Sequence, residues 1–263
     1  EVVLSTWDGR PEQTYPVEWI VDGRGRLVVY RGEPGRHIGM RTAAPVADGR
    51  WHHVALTQDP GRGWARLYID GDVNDSLRIN GSGLSNNLIA DTSNITINAD
   101  GYWDLQGYKE LVNNVTLNGG TIEAKNNSGT GDRLDIIGVL TASNATTSTI
   151  DGRLGLNNDT AKSIVVDAAA TLDINATVSN GGFVKTGDGT LVLSGANSFT
   201  GDAQVSAGIL RVDNNSGLGA LAGGTEGLSG PQLQLDHVTI GAESLSIAGT
   251  GHNSDGSGAL RAL

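Results

Sequence analysis

The chain has 263 residues, including 39 glycines, only 5% aromatic residues and no cysteine. Its net charge of −11, from 18 basic and 29 acidic residues, argues against a nucleic-acid-binding protein, which usually carries a basic patch. The lack of cysteine excludes a disulfide framework and a thiolate metal site. No apolar run reaches the ~20 residues of a membrane helix. No signal peptide begins at Glu1, so we expect the chain to be a fragment.

The composition changes along the chain. Four of the five tryptophans (Trp7, Trp19, Trp51 and Trp64) precede residue 74, whereas asparagine first occurs at Asn74 and is abundant afterwards. Such a shift predicts two structural units with a boundary near residues 72–85. We therefore expect one domain over residues 1–80 and a second over residues 81–263.

The first unit has the pattern of antiparallel β-structure. Residues 19–21 and 27–30 are predicted strands joined by a turn at 22–25, and residues 51–57 and 64–70 form a second pair across the loop 58–63. In the last strand, Ala65, Leu67 and Ile69 alternate with Trp64 and Tyr68. A strand with two distinct faces normally packs on a partner sheet, so a sandwich is expected.

The second unit has short apolar strands separated by Gly, Asn, Asp and Ser. The predicted strands contain alternating aliphatic pairs: Ile95/Ile97, Val115/Leu117, Leu134/Ile136, Leu154/Leu156, Leu172/Ile174, Leu233/Leu235, Val238/Ile240 and Leu245/Ile247. Their spacing predicts the coils of a β-solenoid, each of roughly 20 residues. Residues 218–228 are Gly-rich and are predicted to form a loop or a bulged turn, and a further strand is predicted at the end of this sequence.

The stretch from 181 to 212, GGFVKTGDGTLVLSGANSFTGDAQVSAGILRV, has the clearest motif. Its order of glycines, Lys185, the Leu191–Leu193 run and Asn197 resembles the passenger-associated repeat of bacterial autotransporters. This resemblance implies a right-handed parallel β-helix that is carried outside the cell. It also implies that an export signal and an outer-membrane translocator lie outside this chain.

Two segments of the first unit, DGRWHHVALT at 48–57 and WARLYIDG at 64–71, resemble the C-terminal half of a laminin-G-like, concanavalin A-like jelly roll. A complete jelly roll of that family is about twice as long as residues 1–80. The resemblance therefore implies a partial antiparallel β-sandwich ahead of the β-helix. The overall fold class is all-β.

Candidate binding residues lie on the first unit. Trp64 and Tyr68 share a strand face and could stack on a sugar ring, although a place in the inter-sheet core fits them equally well. Asp70, Asp72 and Asp75 could supply oxygens to a Ca²⁺ loop, as some laminin-G-like domains do, although a turn after a strand has the same residues. No other cofactor is expected.

Carboxylates and asparagines of the second unit invite two functional interpretations. Enzymatic β-helices that cleave polysaccharides need paired carboxylates and a basic residue. The second unit contains several aspartates, but no pair of them has a spacing that indicates catalysis: Asp132, Asp135, Asp151, Asp167 and Asp173. The Asn-x-Ser/Thr triplets at Asn94, Asn114, Asn144 and Asn175 are interpreted as turn and ladder residues.

The sequence thus predicts an adhesin-like surface protein in which a β-helix stalk carries a module that binds an extracellular glycan or a cell-surface protein. The alternative is a polysaccharide lyase or hydrolase. The predicted location is the bacterial cell surface or the extracellular space, with anchoring through the outer membrane.

Overall fold

A computed structural model gives the fold of residues 2–5, 15–33, 36–42, 45–59, 64–69, 72–73, 76–80, 89–99, 101–105, 107–124, 133–227, 230–252 and 258–263. These described residues contain β-strands, turns and no α-helix. The all-β prediction is confirmed, and the fold combines an antiparallel sheet with a parallel β-solenoid.

The N-terminal part contains antiparallel strands in two sheets. The strands are β1 (Val2–Ser5), β2 (Tyr15–Val21), β3 (Leu27–Glu33), β4 (Arg36–Arg41), β5 (Val54–Asp59), β6 (Trp64–Ile69), β7 (Asp72–Val73) and β8 (Ser76–Asn80). One sheet has the order β1-β2-β3-β4-β8, and the other has the order β5-β6-β7. Both predicted strand pairs are confirmed, although β5 begins at Val54 rather than at Trp51.

The two antiparallel sheets pack face to face through a small core. Leu27, Val29 and Met40 of the first sheet are buried together with Leu67 of β6. The alternation of β6 explains this, because every second side chain of a strand points to the same face. Leu67 thus faces the partner sheet that the two-faced pattern predicted.

Strand β8 joins this region to the solenoid. It pairs antiparallel with β4 on one side. On its other side it pairs in parallel with β10 (Tyr102–Asp104), so that Leu77 lies beside Trp103. The first sheet therefore continues without a break into one face of the solenoid. The division into two domains near residue 80 stays a prediction.

The solenoid contains the remaining strands. After β9 (Ile95–Asn98) and β10 they are β11 (Lys109–Val112), β12 (Val115–Asn118), β13 (Thr121–Ala124), β14 (Arg133–Ile136), β15 (Leu140–Ala142), β16 (Thr147–Val166), β17 (Thr171–Ile174), β18 (Thr177–Thr186), β19 (Thr190–Leu193), β20 (Ala203–Val205), β21 (Ile209–Val212), β22 (Gly224–Gly227), β23 (Gln232–Leu235), β24 (Ser244–Ile247) and β25 (Leu260–Ala262).

Parallel pairing stacks these strands into long faces. The first face runs β10-β13-β16-β17-β19-β21-β23-β25, and another runs β9-β12-β15-β16-β18-β20-β22-β24. A shorter third face contains β11, β14 and parts of β16 and β18. Between the two long faces lies one continuous aliphatic core.

Successive coils place aliphatic residues directly above one another. One inward row contains Ile122, Ile150, Ile174, Leu193, Val212 and Leu235 in consecutive register. Coil length is 19 residues where Thr171 pairs with Thr190, close to the predicted period, and 28 residues where Thr121 pairs with Thr149. The inward row stays in register across these changes of coil length.

Two predictions about individual segments need correction. The Gly-rich stretch predicted as a loop contains β22, because Thr225 is held in register between Ala203 and Leu245. Val238 and Ile240 form no strand but pack against the core from a turn region. Leu245 lies on a strand, β24, as predicted, and its side chain is exposed.

Candidate functional site

The predicted binding residues are only partly within the described structure. Trp64 and Tyr68 lie on β6, where their backbones pair with Asp59 and Ala55, but their side chains lie outside the described residues. Asp72 lies on β7, and its side chain is outside them as well, as are Asp70 and Asp75. The sugar-stacking and Ca²⁺ assignments therefore stay predictions. The described residues contain no group of three or more metal-ligating side chains.

A different aromatic residue is exposed in this region. The side chain of Trp51 is fully exposed to solvent, in the segment that leads into β5. Two backbone bonds tie this segment to the turn between β2 and β3, since the amides of Val46 and Ala47 both donate to the carbonyl oxygen of Gly25, at 2.8 and 2.9 Å. We call residues 22–26 and 45–53 together the Trp51 tip.

Carboxylates stiffen both halves of the Trp51 tip. Asp22 accepts bonds from the backbone amides of Arg24 and Arg26, and its Oδ2 is 2.8 Å from a guanidinium nitrogen of Arg26. Burial raises the pKa of Asp22, but these bonds outweigh it and lower the pKa to about 2. In the other half, Asp48 Oδ1 lies 2.9 Å from both the backbone amide of Arg50 and the Nε2 of His52.

The strand predicted over residues 51–57 includes Trp51, His52 and His53. The structure starts β5 only at Val54, because the bonds around Asp48 form a turn instead. The bond from His52 is the largest cause of the lowered pKa of Asp48. The signal that could have revealed this is the Asp48-Gly49 dipeptide, which is typical of turns.

In the solenoid, the repeat motif places a lysine inside the core. Lys185 is completely buried between Ile164 and Val205 in the aliphatic stack. Its ammonium donates to the carbonyl oxygens of Gly187 at 2.7 Å and, in the next coil, of Ala207 at 2.9 Å. Burial lowers the pKa of Lys185 to about 8, against a small opposing influence of Asp188. Lys185 thus joins two coils from within.

Asn197 joins three coils in the same way. Its Oδ1 accepts the amide of Val178 at 2.8 Å, and its Nδ2 donates to the carbonyl oxygen of Gly217 at 2.6 Å. Val178 lies on β18, whereas Gly217 lies in a turn and Asn197 lies outside the strands. The Asn197 side chain thus makes the bonds to neighbouring coils that a strand would make through its backbone. We call Lys185 and Asn197 with their partners the coil clasp.

Close approach of successive coils explains the motif's glycines and aromatic residues. A Cβ at Gly195 would lie 2.1 Å from the carbonyl oxygen of Ala176, and one at Gly208 would lie 2.7 Å from Lys185 Nζ. Phe183 and Phe199 pack edge to face with centroids 5.5 Å apart. The motif is therefore a set of contacts between coils.

Asparagines also bridge coils on the surface. Asn94 Oδ1 accepts bonds from the side-chain amides of Asn113 and Asn114, at 3.0 and 2.9 Å, and Asn114 Oδ1 accepts the amide of Val139 at 2.8 Å. The ladder interpretation of Asn94 and Asn114 is confirmed. Asn144 lies in an exposed turn with a φ of 63°.

Of the carboxylates that the sequence could not pair, Asp151 and Asp173 interact on the first long face. Asp173 interacts electrostatically with Asp151 and Asp213, and Ser194 donates a bond to its Oδ1 at 3.2 Å. Burial, with these two carboxylates, raises the pKa of Asp173. Arg211 lies between Asp213 and Asp236, with ion-pair distances of 2.6 and 3.2 Å.

Asp135 lies on the third face of the solenoid, apart from the carboxylates around Asp173. It is buried on β14, where Lys109 and Arg133 hold its carboxylate at 3.1 and 2.8 Å. A Cβ at Gly155 in the next coil would lie only 1.8 Å from Asp135 Oδ1. The coil above therefore closes off this carboxylate, which gives it a structural role. Asp132 lies outside the described residues.

Comparison with known proteins confirms both resemblances. The Passenger-associated-transport-repeat family model matches residues 183–212, the segment that contains the coil clasp. The Concanavalin A-like lectin/glucanases superfamily model matches residues 2–125, which include the antiparallel sheets and extend to β13 of the solenoid.

Part of the chain is similar to a curated autotransporter adhesin. The Adhesin BmaC autotransporter of Brucella suis biovar 1 (strain 1330) is 36% identical over 140 residues, which is 52% of this chain and 4% of that protein. The chain thus spans a small fraction of the relative's length. No solved structure matches significantly. Within the described residues, no helix has the length and apolarity needed to cross a membrane.

Proposed function

We propose, on the premise that this chain has the character of an autotransporter passenger, that it is an adhesin-like segment displayed at the bacterial surface. In this proposal the solenoid is a rigid stalk and the antiparallel sheets form a recognition module for an extracellular glycan or a cell-surface protein. The proposed division lies near residue 80. Export would use a signal and an outer-membrane translocator.

The observation that carries the proposal is the coil clasp within the transport-repeat match. Lys185 and Asn197 connect coils through buried bonds to backbone groups, and the aliphatic row continues through them. A solenoid in which each coil contacts only its neighbours extends in one dimension, as a stalk must. The face joined to the antiparallel sheets through β8 would hold the module firmly on the stalk.

Surface display tests the proposal. The whole chain would be fused to a translocator in a laboratory bacterium, and intact cells would be labelled with an antibody against the chain. We expect surface labelling and adhesion to layers coated with glycans or extracellular proteins. A displayed chain that gives no adhesion above cells with the translocator alone would refute the recognition role.

A second candidate function is polysaccharide cleavage, favoured by Asp173. A carboxyl group with a raised pKa beside other carboxylates and Arg211 has the composition of a general acid site. The test is depolymerisation of acidic and neutral polysaccharides by the whole chain, with Asp173→Asn as the variant. Activity that Asp173→Asn abolishes would replace the stalk proposal, whereas no product formation by either protein would eliminate the enzyme.

A further inference from the structure

The Trp51 tip has an exposed surface that folding does not require. The indole of Trp51 is fully exposed, although burying such a side chain is a large source of stability for most proteins. The segment that carries it is nevertheless held in place, through the bonds to Gly25 and through the turn around Asp48. A rigidly presented aromatic face is suited to stacking on a flat apolar ligand surface, such as a sugar ring.

The Trp51 tip also carries exposed arginines. Arg24 and Arg50 are both exposed, one in each half of the Trp51 tip. Asp22 is partly buried and paired with Arg26. Asp48 is exposed and lies 2.9 Å from His52 Nε2 and 4.0 Å from Arg50 Nε, which leaves the Arg50 side chain 83% exposed. With neutral histidines the tip carries a net charge of +1, in a chain whose net charge is −11. The acidic solenoid would repel an anionic ligand, and the tip would attract it.

We infer that the Trp51 tip is a binding site for anionic polysaccharide, with Trp51 stacking on a sugar ring and Arg24 and Arg50 pairing with its carboxylate or sulfate groups. Guanidinium groups suit both anions because they form paired hydrogen bonds to planar or tetrahedral oxyanions. This inference rests on the proposed recognition role and names the ligand class and the residues that would serve it. It shifts the site from Trp64 and Tyr68, on β6, to the loop before β5.

The test measures binding of the whole chain to heparin, hyaluronate and uncharged dextran by calorimetry at low and moderate salt. We expect binding to one or both anionic polymers, weakened by salt because exposed charges are screened. Trp51→Ala should lower the affinity about 10-fold or more, as expected for an aromatic anchor. Arg24→Ala with Arg50→Ala should lower it and reduce its salt dependence. Comparing the affinities for heparin and hyaluronate distinguishes recognition of sulfate groups from recognition of carboxylate groups.

Arg261→Ala is the matched control, since Arg261 is an exposed arginine at the far end of the solenoid. It should leave the affinity unchanged, and unaltered circular dichroism should show that all variants are folded. Anionic binding that survives Trp51→Ala, or binding to dextran alone, would overturn the inference. In either case, adhesion of displayed cells would still support the proposed function. If the chain neither binds anionic polymers nor makes displayed cells adhere, the inference and the proposed function are both overturned.

Discussion

Asn197→Ala tests whether the coil clasp stabilises the solenoid. The substitution removes the acceptor of the Val178 amide and the donor to the Gly217 carbonyl oxygen, both in a buried position. Leaving a buried polar group without a partner costs about 1–3 kcal/mol. With two such groups and partial relaxation, we expect a loss of about 3 kcal/mol in the free energy of unfolding of these coils.

Hydrogen exchange at the Val178 amide measures this loss locally. A loss of about 3 kcal/mol corresponds to exchange that is about 100-fold faster, because each tenfold change equals about 1.4 kcal/mol. Urea unfolding of the same protein gives the global counterpart. Asn197→Asp separates the two bonds, since it keeps an acceptor for Val178 and removes the donor to Gly217.

Asn175→Ala is the matched control, because Asn175 is exposed on a neighbouring coil. It should change stability by less than about 0.5 kcal/mol, as surface substitutions usually do. If Asn197→Ala accelerates exchange at Val178 no more than Asn175→Ala does, the clasp does not stabilise the coils, and the explanation of the motif is wrong.

Three further predictions concern the same coils. The pKa of Lys185 is about 8 in the folded chain and near 10.5 in the unfolded chain, so the unfolded chain binds more protons between these pH values. The free energy of unfolding of the wild type should therefore rise from pH 8 to pH 10.5, relative to that of Lys185→Met, by at most about 3 kcal/mol. Urea titrations at each pH measure this difference. Gly208 has a φ of 70°, and a Cβ there would lie 2.5 Å from a carbonyl oxygen, so Gly208→Ala should lower the free energy of unfolding by more than about 2 kcal/mol. Gly224→Ala should be nearly neutral, because the atom nearest to its Cβ would be 3.4 Å away. Equal melting temperatures of the two variants would contradict this prediction. Phe199→Leu should cost about 1 kcal/mol by thermal unfolding through loss of the ring contact with Phe183, and an unchanged melting temperature would argue against that contact.

The junction between the sheets and the solenoid bears on how a recognition module could be carried. β8 has an antiparallel neighbour, β4, on one side and a parallel neighbour, β10, on the other. Force or motion applied to the first sheet would therefore pass through backbone hydrogen bonds into the solenoid. A flexible linker would not provide this connection, because it holds its domains only by their covalent chain.

Local pattern in the sequence determined the element types and the repeating core. Alternation places Leu172 and Ile174 inward wherever the strand is extended, and glycine and asparagine mark the turns that reverse it, so the solenoid and both antiparallel strand pairs could be predicted. The repeat motif at 181–212 could also be recognised in the sequence, because it requires specific residues at fixed spacing.

Contacts between distant residues were decided only by the tertiary structure. Lys185 resembles a surface residue in the sequence, and its burial follows from carbonyl oxygens of Gly187 and Ala207 that converge only after the coils stack. Asp173 gains its carboxylate neighbours through stacking as well. The exposure of Trp51 depends on a turn tied to Gly25, 26 positions earlier. Spacing along the chain encodes the strand period, whereas proximity across coils depends on the lengths of every turn between them.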